Sequence, residues 1–412
     1  MMNRDRIRIF TLDHLGWLVV AVGISLIGVP HATAGTTVAN VQNGEVPTYV
    51  PLDDFSPGFL GIYRKVMEIE ADILRYAEKY GLDPGLARAV CMYESGGNAN
   101  LTSWAGARGY FQVMPATFRA LRVPTNIEAG VKYLAQLVKQ FGREDYALAA
   151  YNGGPGRVAR GRPMPLESLQ YVLGVGHYRT VLQLHEESVR YHAQQLKLET
   201  VHEGDDWWGL SRRLNVHLLQ LRLHNPFLTD RPLRAGQLIA YPAQPRTDLL
   251  SVGEGDAVEY RTRLGDNYFN LAFTLDIDLD LLRSANGLWH LQTLPAGLPL
   301  RLPLSRSEKY DAHRVQSGDT LEAVAKRAAA DPWQIIRDNN LFSNEPLREG
   351  MMLKVRPAPP KPAYTVYRVQ TGDNLGAIAE RFGTTVSAIQ SLNSMGRSTL
   401  IRIGQALRIP SK

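Results

Sequence analysis

One pair of spacings recurs four times in the second half of this 412-residue chain. A Gly-Asp pair stands at Gly204-Asp205, Gly265-Asp266, Gly318-Asp319 and Gly372-Asp373. Twenty residues after each Asp comes an Asn: Asn225, Asn286, Asn339 and Asn393. Eleven residues after each Asn comes a Gly: Gly236, Gly297, Gly350 and Gly404. An apolar pair follows each time, and the copies generally end at a proline (Pro242, Pro303, Pro357, Pro410). Chance does not preserve two intervals through four copies. A small folding unit is repeated, and the chain is built from several domains.

The punctuation of each copy draws the unit. A short alternating strand, as in Tyr367-Arg368-Val369, leads into the Gly-Asp turn. The Asp is placed to cap a first helix, such as 374–382, and a second helix runs up to the Asn. The last Gly turns the chain into a closing strand such as 406–409, which gives the order βααβ. Segments 243–257, 304–312 and 357–365 separate the copies. The last contains Pro-Ala-Pro-Pro-Lys-Pro-Ala, an extended and semi-rigid spacer. The expectation is beads on a tether, in contrast to a solenoid whose repeats touch.

These copies, at 199–242, 258–304, 313–357 and 366–410, resemble LysM modules, small βααβ domains that bind glycans containing N-acetylglucosamine. The fourth, with Val369-Gln370-Thr371-Gly372-Asp373-Asn374-Leu375, is nearest the family pattern. The first carries Trp207-Trp208 after its Gly-Asp-Asp, and the second carries Asn267-Tyr268-Phe269. The resemblance implies glycan contact through loop backbone and neighbouring side chains. The repeated Gly, Asp and Asn then serve to build turns and caps.

The first half reads as helical from about 55 to 190. Ile62, Val66, Ile69 and Ile73 form one stripe of a helix over 59–80. Asp83-Pro84 opens another, with Asp as N-cap and Pro at the first helical position, and Gly96-Gly97 stops it. Further helices are expected over 127–141, over 146–151 and after Pro165. Glu94 lies four residues after Val90 and eight after Leu86, on the apolar face and in the last turn. Burial and the negative end of the helix dipole both raise its pKa, as a general acid near neutral pH requires. A lone glutamate on such a face is more often a boundary residue with a partner. Its surroundings decide between the two.

After Glu94-Ser95 come Ser103, Gly106-Ala107-Arg108-Gly109, Gln112 and Met114-Pro115. Asn126-Ile127-Glu128-Ala129-Gly130 follows, then Ala150-Tyr151-Asn152-Gly153-Gly154-Pro155-Gly156, then Pro165-Leu166-Glu167-Ser168-Leu169-Gln170-Tyr171-Val172. In order and spacing, over about 55–185, these resemble the soluble lytic transglycosylase family, whose catalytic domain is α-helical and goose-lysozyme-like. The resemblance implies that Glu94 is the single acid/base acting on peptidoglycan. It implies that Ser103, Gln112, Met114, Tyr151 and Asn152 line the sugar subsites, with Glu167 and Tyr171 completing the cleft. Two departures stand out: Tyr110-Phe111 replaces the usual Leu-Met, and Gly97 stands where a large apolar residue is common. Cys91, one turn before Glu94, reads as a small buried hydrophobe, since the nearest histidine in sequence is His177.

Ordinary glycosidases need two carboxylates. From Ser95 to Ile127 there is neither Asp nor Glu, which favours chemistry in which the substrate's own 2-acetamido group assists. The product would then be a 1,6-anhydromuramoyl end. A lysozyme-type hydrolase and a non-catalytic wall tether stay open at this level.

Composition narrows the partners. With 44% hydrophobic and 21% charged residues the chain is globular. Its net charge of +6 suits an acidic partner such as peptidoglycan. The basic residues are scattered, with no basic block interleaved with aromatics for nucleic acid. The ten histidines lack ligand spacing, so no metal or cofactor is implied. Arg4, Arg6 and Arg8 precede an apolar run from Trp17 to Val29 that ends in Ala32-Thr33-Ala34, a secretory signal over 1–34. The run falls short of the ~20 residues that cross a bilayer, so cleavage is expected; only an uncleaved signal would keep the chain near a membrane. Cys91 is the sole cysteine, so stability must come from packing. The expectation is a periplasmic, wall-associated chain: an all-α lysozyme-like domain followed by four βααβ LysM modules.

Overall fold

The computed structural model describes residues 49–412 except 104–105, 230–231, 245, 247–248, 254–256, 292, 305–309, 343–345, 357–363, 370–373, 394, 396–397, 400, 402–404 and 411–412. The signal segment 1–34, the proline-rich spacer and the fourth copy's Gly372-Asp373 and Gly404 lie outside the described residues.

The first half is helical, as its periodicity requires. It comprises α1 (Pro57–Val66), α2 (Glu70–Tyr80), α3 (Pro84–Ser95), α4 (Pro115–Leu121), α5 (Asn126–Phe141), α6 (Glu144–Gly153), α7 (Pro155–Ala159) and α8 (Leu166–Gln194). The single helix expected over 59–80 is broken by a 3-10 turn at Met67–Ile69. The break lets α2 start at Glu70, whose carboxylate receives Arg88 from α3 at 3.0 Å and Arg190 from α8 at 2.7 Å. Glu186 of α8 also meets Arg88, so three helices are cross-tied by one partly buried ionic cluster. Inside the bundle α3 packs against α8, and Phe59, Ile62, Val90, Met92, Val175 and Tyr178 are buried. Each such side chain contributes about 1.5–3 kcal/mol on burial. That source must suffice where no disulfide forms.

Only Gln195 separates α8 from the first strand of the repeats. The copies are β1 (Leu196–Thr200), α9 (Trp207–Leu214), α10 (Leu218–His224), β2 (Leu238–Pro242); then β3 (Ser251–Val252), β4 (Val258–Arg261), α11 (Tyr268–Leu275), α12 (Leu279–Ala285), β5 (Pro299–Leu302). They continue with β6 (Asp311–Arg314), α13 (Leu321–Arg327), α14 (Pro332–Asp338), β7 (Met352–Val355); and β8 (Tyr364–Arg368), α15 (Leu375–Arg381), α16 (Val386–Leu392), β9 (Ala406–Pro410). In each, the opening and closing strands pair antiparallel, with Leu196 opposite Pro242 in the first and Tyr364 opposite Pro410 in the fourth.

The repeated asparagine explains the invariant spacing. Asn225 donates from Nδ2 to Leu221 O (2.8 Å) and Ala240 O (2.7 Å) and accepts from Ala240 N (2.9 Å). Asn286, Asn339 and Asn393 make the same three bonds, each to a carbonyl four residues back and to both backbone groups fifteen residues on. One side chain thus clasps the second helix to the closing strand. Three bonds of about 1 kcal/mol net each make it a main fastener of a small unit. In the first three copies the repeated glycines sit at positive φ, +85° at Gly204 and +82° at Gly236, where only glycine is unstrained.

Two expectations are corrected. The repeated Asp does not cap the first helix in the three copies where it is described; the next residue does, as Asp206, Asn267 and Thr320 show. The Asp closes the turn before it, accepting from the amide three residues back (His202 to Asp205, 2.8 Å; Gln316 to Asp319, 2.9 Å). Nor are the first three copies beads on a string. Leu219 and Leu223 of the first, Leu271 and Leu275 of the second and Trp333 and Ile336 of the third share one apolar core. Asp276 of the second receives Arg222 of the first (3.0 Å) and Trp333 Nε1 of the third (2.7 Å). The stretch 243–257, expected as a linker, supplies β3 to the second sheet, and buried Arg246 donates to Phe55 O (3.1 Å). These copies carry apolar helix faces too large to leave in water, so they bury them on one another and on the helical domain.

Candidate functional site

Glu94 is the penultimate residue of α3. The helix begins on Asp83, whose side chain accepts from Leu86 N (2.6 Å), and ends at Gly96 with φ +59°. This cap arrangement matches the sequence expectation. It fixes which face Glu94 occupies: the one toward α8, where Tyr171 donates its hydroxyl to Glu94 Oε1 at 2.7 Å. Burial pushes the Glu94 pKa up to about 8, against a smaller downward pull from the Tyr171 hydrogen bond. At neutral pH the carboxyl is therefore mostly protonated. Tyr93, Tyr151 and Tyr171 surround it, their own pKa values all raised, chiefly by burial. Tyr93 stacks edge-on against Tyr171 with ring centres 5.4 Å apart. The small Gly174 of α8 makes room for it: a Cβ there would fall 2.2 Å from the Tyr93 ring.

The carboxyl has no acidic neighbour acting on it among the described residues. The other acids buried in the helical domain are occupied: Glu70 by its arginines, Glu128 by Lys79 (2.7 Å) and the Tyr80 hydroxyl (2.8 Å). Cys91 is fully buried and its thiol pKa is raised by that burial, which makes it a core residue and no nucleophile.

The other sequence-chosen residues divide into two groups. Asn152, Glu167 and Tyr171 line one open groove of about 520 Å³, with Ser168 Oγ donating to Asn152 Oδ1 (2.6 Å). Tyr151 points inward, its hydroxyl donating to Phe111 O (2.7 Å). Ser103, Gln112 and Met114 belong to the loop between α3 and α4. Ser103 Oγ accepts from Ala107 N (3.0 Å), and Gln112 Nε2 donates to Leu101 O (3.1 Å) and Gly109 O (2.8 Å). Gln112 holds φ +45°, an uncommon conformation for a non-glycine residue that this bonding sustains. Met114 is 44% exposed at the N-cap of α4. Asn126, which opens α5, steadies the loop by accepting from Phe111 N (3.1 Å) and donating to Arg108 O (2.8 Å).

Both departures noted in the sequence have local causes. Phe111 is fully buried against Gly130, where a Cβ would lie 2.1 Å from its ring. Gly97 has φ +74°, and a Cβ on it would sit 2.8 Å from that of Lys65.

Comparison with known proteins finds matches to two parts of the chain. Residues 72–163 match the transglycosylase SLT domain. Residues 260–303, 313–356 and 367–410 match the LysM domain. The chain carries an SLT domain and three LysM domains. The transglycosylase of Enterobacteria phage PRD1 is similar to it, 43% identical over 82 residues, which are 18% of this chain and 31% of that protein. The soluble lytic murein transglycosylase of Salmonella typhimurium is 35% identical over 101 residues, 20% of this chain and 16% of that protein. The N-acetylmuramoyl-L-alanine amidase sle1 of Staphylococcus saprophyticus is 29% identical over 174 residues, 38% of this chain and 52% of that protein. The chain thus spans about half of these relatives' length or less. The match to the SLT domain contains Glu94, Ser103, Gln112, Met114, Tyr151 and Asn152 but ends before Glu167 and Tyr171, although Tyr171 is the residue bonded to Glu94.

Sequence reasoning missed part of the groove. Tyr93, Gln170, Phe227, Phe269 and Phe273 also line it, the last three from the repeats. Tyr93 adjoins Glu94 in the chain and was within reach of a motif reading. The phenylalanines arrive only through long-range docking, which leaves no local signal.

Proposed function

We propose that this chain is a peptidoglycan lytic transglycosylase in which Glu94 is the sole acid/base. The observation that carries the reading is a half-buried Glu94, bonded by the Tyr171 hydroxyl at the end of α3 and with its pKa raised by desolvation, inside the stretch matched to the SLT domain. Glu94 gives its proton to the glycosidic oxygen between N-acetylmuramic acid and N-acetylglucosamine, and the C1–O bond breaks. The 2-acetamido oxygen stabilises the positive charge at C1. Glu94, now a carboxylate steadied by the Tyr171 hydroxyl, takes the proton of the C6 hydroxyl as its oxygen attacks C1. The product is a 1,6-anhydromuramoyl end, and no water is consumed. Asn152, Glu167 and Tyr171 position sugars along the groove, and Ser103, Gln112 and Met114 shape the loop beside it.

The first repeat, 199–242, is a fourth LysM-type unit; its asparagine clasp, identical to the other three, supports that reading. The LysM units act on the same polymer as binding modules, which supports a location where peptidoglycan lies, outside the cytoplasmic membrane. Among the described residues no helix is long and apolar enough to cross a membrane.

One feature favours hydrolysis instead: exposed Glu167 lines the same groove and could activate water. Mass spectrometry of digested sacculi separates the two. Anhydro ends support the transglycosylase; ordinary reducing muramic ends overturn it in favour of a muramidase.

A further inference from the structure

The groove beside Glu94 has two walls of different origin. One is α8 and the α6 terminus, bearing Glu167, Tyr171 and Asn152. The other is built by the repeats: Pro226 and Phe227 from the first, and Phe269, Asn270 and Phe273 from α11 of the second. Tyr171, which bonds Glu94, belongs to the same lining, so the two walls are continuous with the reacting carboxyl.

The second wall is fixed in place by close packing. On α1 a Cβ at Gly61 would fall 2.1 Å from His224 O of the first repeat. On the repeat side, a Cβ at Gly265 would fall 2.3 Å from Phe59. Gly96, which ends the Glu94 helix, leaves room for Phe227, whose ring would lie 2.5 Å from a Cβ there. From the second repeat, Asn267 and Asn270 both donate to the Tyr178 hydroxyl of α8 (3.0 and 2.9 Å). Gln170 of α8 donates to His290 O (2.9 Å). Backbone contacts at glycine and paired carboxamide struts make a fixed wall, unlike a module that swings on a linker.

The chemistry of the lining names its occupant. It offers aromatic faces and side-chain amides, with one carboxylate and no lysine or arginine. Aromatic faces take the C–H faces of sugar rings, and amides pair with N-acetyl groups and hydroxyls. We propose that the first two repeats form part of the catalytic groove and supply a sugar subsite for the glycan strand, centred on Phe273, which is 50% exposed at its edge. Their task is to seat the strand that Glu94 cuts, while anchoring to the bulk wall falls to the outer repeats. This inference rests on the function proposed above.

The test compares full-length wild type with Phe273→Ala and Phe273→Tyr. Substrates are long, purified glycan strands and a short soluble fragment, and pelleting with intact sacculi is measured alongside. Phe273→Ala is expected to raise KM on long strands about tenfold with kcat nearly unchanged, the equivalent of losing one good stacking contact. Phe273→Tyr restores the wild-type KM, and pelleting is unaltered in both. A wild-type KM for Phe273→Ala, in an enzyme whose wild type cuts normally, overturns the subsite alone. A wild type that cuts no glycan overturns the functional reading and the subsite together.

Discussion

In the first repeat Asn225 clasps Leu221 and Ala240 with bonds of 2.7–2.9 Å, and in the fourth Asn393 clasps Ile389 and Arg408 with bonds of 2.7 Å. The internal architecture is the same, yet the two units live in different surroundings. Leu218, Leu219 and Leu223 of the first are buried in a core shared with its neighbours, and His224 meets α1 at Gly61. The fourth closes a core of its own from Val369, Leu375, Ile378, Ile389, Leu407 and Ile409. The clasp sets the fold of the unit, and the outward faces of its helices set whether it docks. Divergence in the early copies thus goes with a change of packing on an unchanged frame.

Breaking the docked contact should have the largest effect. Gly61→Val forces a branched side chain into the His224 carbonyl, with an expected loss of roughly 3 kcal/mol or more in thermal or urea unfolding. Next come the paired clasp variants. Asn225→Ala and Asn393→Ala should each cost about 2–3 kcal/mol within their own unit. Only Asn225→Ala should lower the melting transition of the helical domain and the rate on soluble glycan. Equal effects of the two on turnover would erase the distinction between docked and separate repeats.

Lys65 sharpens the comparison through pH. It is buried between Asn98 Oδ1 (3.4 Å) and Asn225 Oδ1 (3.3 Å), at the seam with the first repeat, and burial lowers its pKa to about 7. Because the folded pKa lies below the unfolded value of 10.5, the cost of charging it grows as pH falls from 10.5 to 7 and is constant below. Lys65→Met should therefore stabilise the docked half by about 2 kcal/mol at and below pH 7, once the lost hydrogen bonds are counted, and the gain should fade toward pH 10. Denaturant titrations at pH 6 and pH 9.5 measure it. The smallest effect belongs to removal of 366–412: the main melting transition should move by no more than about 0.5 kcal/mol, while pelleting with sacculi weakens. Removing everything from 199 onward is a different experiment, because it strips a wall from the groove.

The helical half was largely legible because its signals are local. Asp83-Pro84 and Gly96-Gly97 bracket α3, and Val90 and Leu86 place Glu94 on its inner face. The repeats were legible from spacing, since a clasp that reaches fifteen residues along the chain tolerates no change in length. The docking was not, because its contacts join distant positions, such as Lys65 and Asn225, 160 residues apart. One trace did exist: Gly58 and Gly61 within α1, each costing a helix about 1 kcal/mol unless something must approach closely. Both face the first repeat, Gly58 at Leu223 O and Gly61 at His224 O. The helix cap lies one residue beyond the expected Asp, since an Asp after Gly can close the turn it ends as well as cap the helix that follows.

Release of fragments from purified sacculi by Glu94→Gln, with Glu167→Gln beside it, tests the central claim most directly. The glutamine keeps the shape and the Tyr171 contact but has no proton to give. Glu94→Gln should fall about a thousandfold or more, while Glu167→Gln, an exposed groove residue, should keep turnover within about tenfold of wild type. Sacculi cleared equally well by Glu94→Gln and wild type would contradict the assignment of Glu94 as the group that works alone.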